Sequence, residues 1–95
     1  MMTSHQEYQG RMEEQLASLG RRIDELSDEA KHAAGEVRQE YSRNVEELRR
    51  QRENVQKQLN ELKQASGQAW EELKNGIDRA WEEIQNSLHS KSGFQ

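Results

Sequence analysis

The feature that most constrains what this chain can fold into is an eleven-residue phrase written twice, from Ala69 to Leu88. Ala69 answers Ala80, Trp70 answers Trp81, and Glu71-Glu72 answer Glu82-Glu83. Leu73 answers Ile84, Asn75 answers Asn86, and Ile77 answers Leu88. Eleven residues take about three turns of α-helix, so successive copies present the same face. The repeat therefore predicts a helix that lies against something along its length. The small Ala69 and Ala80 let a facing helix come close. The large Trp70 and Trp81 beside them cover the flank and keep an N–H within reach of water. Leu73, Ile77, Ile84 and Leu88 complete the face.

Upstream the apolar face continues in a different rhythm. Met12, Leu16, Leu19, Ile23, Leu26, Ala30, Ala33 and Val37 alternate in steps of four and three, which is a heptad seam. Val37, Tyr41, Val45 and Leu48 are spaced four, four and three. The extra step of four is a stutter, which locally relaxes a left-handed supercoil. The next seam position falls on Gln51 or Arg52. A polar residue there either fixes register and partner number or marks a point where the seam is open, and the sequence supports both. The seam resumes at Val55, Leu59, Leu62 and Ser66 and runs into the repeat at Ala69.

Composition agrees with a seam and not with a thick core. Apolar residues make up 31% of the chain and charged residues 34%, whereas ordinary globular domains are roughly 45–50% apolar. There is no proline, so nothing forbids helix anywhere. The expected fold is all-α. Residues 8–90 are expected to form a continuous or gently bent amphipathic helix, about 120 Å long at about 1.5 Å per residue, that enters a coiled coil. Residues 1–7 are expected to be a disordered N-terminus and 91–95 a C-terminal tail. The alternative is a helical hairpin or three-helix bundle broken at Gly35 and Gly67. Lys31 and His32 before Gly35 resemble a helix C-terminus. Against a break, no Pro, Asp or Asn spacer adjoins either glycine, and the seam runs in phase across Gly67.

From Tyr41 onward the chain carries a set of residues with a familiar order. They are Tyr41, Glu46-Glu47-Leu48-Arg49, Leu59, Glu61-Leu62-Lys63, Ala65-Ser66-Gly67 and Ala69-Trp70-Glu71-Glu72-Leu73-Lys74. Gly76, Ala80-Trp81-Glu82-Glu83-Ile84, and a closing Lys91 and Phe94 follow. This segment resembles a family of short bacterial stress-response coiled-coil proteins of cyanobacterial type. The resemblance covers a little over half of the chain and is most specific at Ala65-Ser66-Gly67-x-Ala69-Trp70-Glu71-Glu72-Leu73-Lys74. It implies a small, soluble, all-helical, non-enzymatic protein, and it brings no catalytic or binding residues with it.

Little else in the sequence points to chemistry. The formal net charge is −4. The basic residues Arg49, Arg50 and Arg52 are interrupted by Glu46, Glu47 and Glu53, which is too weak a pattern for a nucleic-acid footprint. The lack of cysteine excludes disulfides and thiolate metal sites. The N-terminus has neither the basic start nor the apolar run of a secretory signal. No apolar run approaches the roughly 18 residues that suggest a membrane span, so a cytoplasmic location is expected. His5, His32 and His89 are scattered. Asp28 and His32 share a helix face, but no third ligand has suitable spacing. Adjacent pairs such as Glu13-Glu14 and Glu71-Glu72 diverge around a helix and do not converge on a substrate. No catalytic, cofactor-binding or metal-binding residues are expected.

Two functional readings follow. In the first, the protein self-associates as a homo-oligomer through its seam, with room for an unidentified protein partner. The interface residues would be Leu16, Leu19, Ile23, Leu26, Val37, Leu48, Val55, Leu59, Leu62, Ala69, Trp70, Leu73, Ile77, Ala80, Trp81, Ile84 and Leu88. In the second, the eleven-residue face lies on a lipid surface with its tryptophans at the boundary. This reading ranks below the first. Glu71, Glu72, Asp78, Glu82 and Glu83 flank the face against only Lys74 and Arg79, and anionic lipids would repel that balance.

Overall fold

In a computed structural model, residues 3–91 are described, of which 92% are helical and none are in strands. The helices are α1 (Ser4–His32), α2 (Gly35–Leu62) and α3 (Gly67–Lys91). The helix expected over 8–90 is interrupted twice in this structure, and both interruptions fall at the glycines. Gly35 has φ 63° and Gly67 has φ 60°. Any residue with a side chain would lose about 1–2 kcal/mol in this left-handed region, and glycine does not. A Cβ placed on either glycine would meet nothing within 4 Å. The demand for glycine thus comes from the backbone turn and not from crowding.

The corners need no Pro, Asp or Asn because other groups terminate the helices. At the end of α1, Ala33 is extended and its N–H donates to the Ala30 carbonyl at 3.3 Å. The His32 ring donates through Nδ1 to the Asp28 carbonyl at 2.8 Å, folding the last side chain of the helix back onto its final turn. At the end of α2, the Gln64 N–H reaches the Glu61 carbonyl at 3.1 Å and the Ala65 N–H reaches the Leu62 carbonyl at 3.0 Å. These i→i+3 bonds tighten the last turn in the manner of a 3₁₀ end.

The N-terminal boundary differs from expectation. Helix begins at Ser4, within the stretch read as disordered. The Thr3 hydroxyl accepts from the Gln6 N–H at 3.1 Å, and the Thr3 N–H donates to Gln6 Oε1 at 3.0 Å. This reciprocal capping box satisfies two donors at once. Met1 and Met2 lie outside the described residues. So do the end of the expected tail from Ser92 onward, including Phe94, and the side chains of His89 and Lys91.

The chain divides into two compact units that share α2, with the boundary between Arg52 and Glu53. In the first unit, α1 buries Tyr8, Met12, Leu16, Leu19, Ile23, Leu26 and Ala30, and α2 buries Val45 and Leu48. In the second, α2 buries Val55, Leu59 and Leu62, and α3 buries Trp70, Ile77 and Ile84. Each helix buries one stripe and exposes charge elsewhere, the signature of amphipathic packing. Fully burying a side chain of this size contributes about 1.5–3 kcal/mol. Helices of this composition are marginal alone, so this burial supplies most of their stability.

The glycines separate into two kinds, and substitution distinguishes them. Gly10 lies inside α1, is exposed, and a Cβ there would meet nothing within 4 Å. Gly10→Ala should raise stability by about 1 kcal/mol, the difference in helix propensity. Gly67→Ala should lower it by about 1–2 kcal/mol, because alanine resists the left-handed turn. Thermal unfolding at low protein concentration checks both, and equal shifts in one direction would contradict the assignment.

Candidate interaction surface

The seam residues read from the sequence separate into a buried group and a residual surface. Leu16, Leu19, Ile23, Leu26, Leu48, Val55, Leu59, Leu62, Trp70, Ile77 and Ile84 are buried within the chain. Leu73, Ala80, Trp81 and Leu88 are half-buried, on the flanks of the α3 stripe. Val37 is 52% exposed and Ala69 is exposed, so neither joins a buried seam. The physical reason is shared. Each stands two residues after a left-handed glycine, where the turn takes the chain out of the phase that the linear spacing assumes.

Tyr8 was not included in that reading, yet it is only 5% exposed. Its spacing of four from Met12 extends the heptad by one step, and that was the available signal. The Arg11 guanidinium sits 5.7 Å from the ring centroid of Tyr8, within cation–π range.

The polar interruption of the seam at Gln51 and Arg52 has a structural purpose. Both are half-buried. Arg52 Nε donates to the Leu16 carbonyl of α1 at 3.3 Å. In an α-helix that carbonyl already accepts from the N–H four residues on, which is Gly20. Gly20 leaves the carbonyl's second lone pair accessible. A Cβ at position 20 would lie 3.5 Å from Arg52 Nε and 3.6 Å from its Nη2. The pair therefore fixes the register of α2 on α1, and it does so inside one chain. Of the two readings left open above, the contact favours register over an open seam. In the second unit Gly76 faces Gln58, whose Oε1 would lie 3.8 Å from a Cβ there. Gln51 Oε1, Gln58 Oε1 and Trp81 Nε1 are buried without a protein hydrogen-bond partner, so the Trp81 N–H does not keep the access to water that its place beside Ala80 suggests.

Charged contacts are local and exposed. Arg22 meets Glu25 at 3.3 Å, and Lys74 meets Asp78 at 3.1 Å along α3. Pairs of this kind contribute a few tenths of a kcal/mol. The His32 ring engages the backbone carbonyl of Asp28 and not its carboxylate. Among the described residues no group of three or more His, Asp or Glu side chains is placed to hold a metal ion. No helix among them is long and apolar enough to cross a membrane.

Comparison with protein-family models, with curated proteins and with solved structures finds no match.

The Arg52 register contact makes a specific prediction. Gly20→Ala should be neutral or stabilising, because 3.5 Å is ordinary van der Waals contact and alanine favours helix. Gly20→Leu should be less stable than Gly20→Ala by about 1–2 kcal/mol, because the longer side chain displaces Arg52 from the carbonyl. Urea unfolding of the two variants tests this. Equal stability of Leu and Ala at position 20 would remove the register role.

Proposed function

We propose that this is a non-enzymatic, cytoplasmic coiled-coil protein whose task is contact: it self-associates through its apolar seam and serves as a structural or interaction component in stress. The observation that carries this reading is the distribution of burial. Buried side chains on all three helices are apolar and lie on the seam or its extension at Tyr8. The seam's polar breaks are placed to set register, as Arg52 on Leu16 illustrates. Such a chain specifies helix pairing in detail. The association with stress rests on the resemblance carried by Ala65 to Lys74.

Self-association has to use what one chain leaves uncovered. On α3 that is Leu73, Ala80, Trp81 and Leu88, the flank where small and large residues alternate. The lipid-surface alternative asks for more, since Trp70, Ile77 and Ile84 would have to leave the core. For that reason we adopt the first reading.

Sedimentation equilibrium from low to high micromolar concentration tests it. A dimer or higher oligomer is expected, and Leu73→Asp should shift it to monomer while retaining the helical circular dichroism. A wild-type protein that stays monomeric throughout would overturn the reading. Tryptophan emission with anionic vesicles should remain unshifted, and a blue shift on vesicle addition would favour the lipid surface instead.

A further inference from the structure

We propose that the chain can open at Gly35, with α1 running straight into α2 as one helix, and that the seam of the opened form is covered by a second copy of this chain. The proposal rests on the self-association reading and adds to the α3 flank a second contact, through the seam of α1 and α2.

The seam does not stop at the corner. Ala30, Ala33, Val37 and Tyr41 keep steps of three and four across Gly35, although the folded-back chain fully buries only Ala30 of the four. There Val37 is 52% exposed, the exposed large apolar side chain among the described residues. Ala33 and Tyr41 are half-buried. A continuous helix would return all of them to one stripe. The corner itself is held by little. Its left-handed φ belongs to Gly35, a Cβ there would meet nothing within 4 Å, and its other residues are Ala33 and Ala34. Alanine is the best helix former, and the corner contains no proline.

Opening exposes the seam and also fixes what must cover it. Arg52 reaches the carbonyl of Leu16, a separation of 36 residues. In one continuous helix these residues stand about 54 Å apart. An opened chain cannot make this contact with itself, while an antiparallel second copy offers the same carbonyl beside the same glycine. The exchanged contacts are those of the folded-back chain, so opening loses few of them. Exchange of an identical element between protomers is an accessible route to a dimer. Burial of Val37 is the contact that only the opened form adds.

Gly35→Ala is the test, in the full chain. Alanine disfavours the left-handed corner and favours the continuous helix by about fivefold each, or roughly 30-fold per chain and about a thousandfold for a two-chain equilibrium. The chain has no cysteine, so spin labels can be placed through S18C and R50C, both at exposed positions, and diluted with unlabelled protein. Folded back, the labels are close. Opened, they stand about 48 Å apart. The expected result is a dimer by sedimentation with the long intrachain distance and undiminished helical circular dichroism. Adding Val37→Glu should restore the monomer and the short distance, whereas Val37→Glu alone should leave the folded-back chain's stability unchanged. A monomer with the short distance overturns the proposal. A dimer with the short distance overturns opening but leaves self-association standing. Loss of helical signal in Gly35→Ala would mean that the variant has not folded, and the decision then passes to the wild-type chain. In that event the wild-type protein at high concentration gives the second reading: a long-distance population that grows with concentration supports opening, and its absence rejects it.

Discussion

A narrow apolar stripe on a charged helix cannot stay in water, and everything in this structure follows from how that stripe is covered. The seam of α1 and α2 is covered within the chain because Gly35 accepts a left-handed φ, and the seam of α2 and α3 because Gly67 does the same. Neither glycine is needed for space. With an ordinary residue at these positions the backbone would prefer to continue as helix, and the same apolar residues would need cover from outside. Two residues thus ease the folding back by about 1–2 kcal/mol each. The side chains that benefit, Leu48, Val55, Leu59, Leu62, Ile77 and Ile84, are fully buried.

How far this was legible in the sequence can be followed residue by residue. The helical class and the buried stripe were visible, because periodicity reports directly which side of a helix is apolar. The corners were named as an alternative but not preferred. The spacing runs in phase through them, and the usual markers of a turn are missing. What closes them is less visible: His32 on the Asp28 carbonyl and two i→i+3 bonds after Leu62. Val37 and Ala69 stay exposed within the chain for the same reason, since linear phase assumes an unbroken helix. The start of α1 could have been read. Thr3 and Gln6 have the spacing of a capping box, and Tyr8 continues the heptad by one step. The purpose of Arg52 could not have been read, because its partner carbonyl lies 36 residues away and appears only once the chain folds back.

Specificity in such a protein resides in the interruptions of the seam. Leucine against leucine tolerates several registers, whereas Arg52 on the Leu16 carbonyl beside Gly20 permits one. The contact depends on a long donor in one helix and a small residue beside the accepting carbonyl in the other. The same pairing is available between two copies of the chain. This links the fold to the proposed self-association: whichever molecule supplies the second helix, the register is specified by the same two positions. The repeat from Ala69 to Leu88 has a corresponding division. Trp70, Ile77 and Ile84 go to the core, and Leu73, Ala80, Trp81 and Leu88 stay half-buried on its flanks.

The measurement closest to the centre of this account is the origin of the Arg52 contact. In a dilute sample mixing isotope-labelled and unlabelled chains, nuclear Overhauser effects between the Arg52 side chain and Gly20 can be sorted into those within a chain and those between chains. The account predicts that in the wild-type protein at low concentration they arise within one chain. Effects seen only between chains would contradict it, since the seam would then be covered by a partner from the outset and the left-handed glycines would not have turned the chain back on itself.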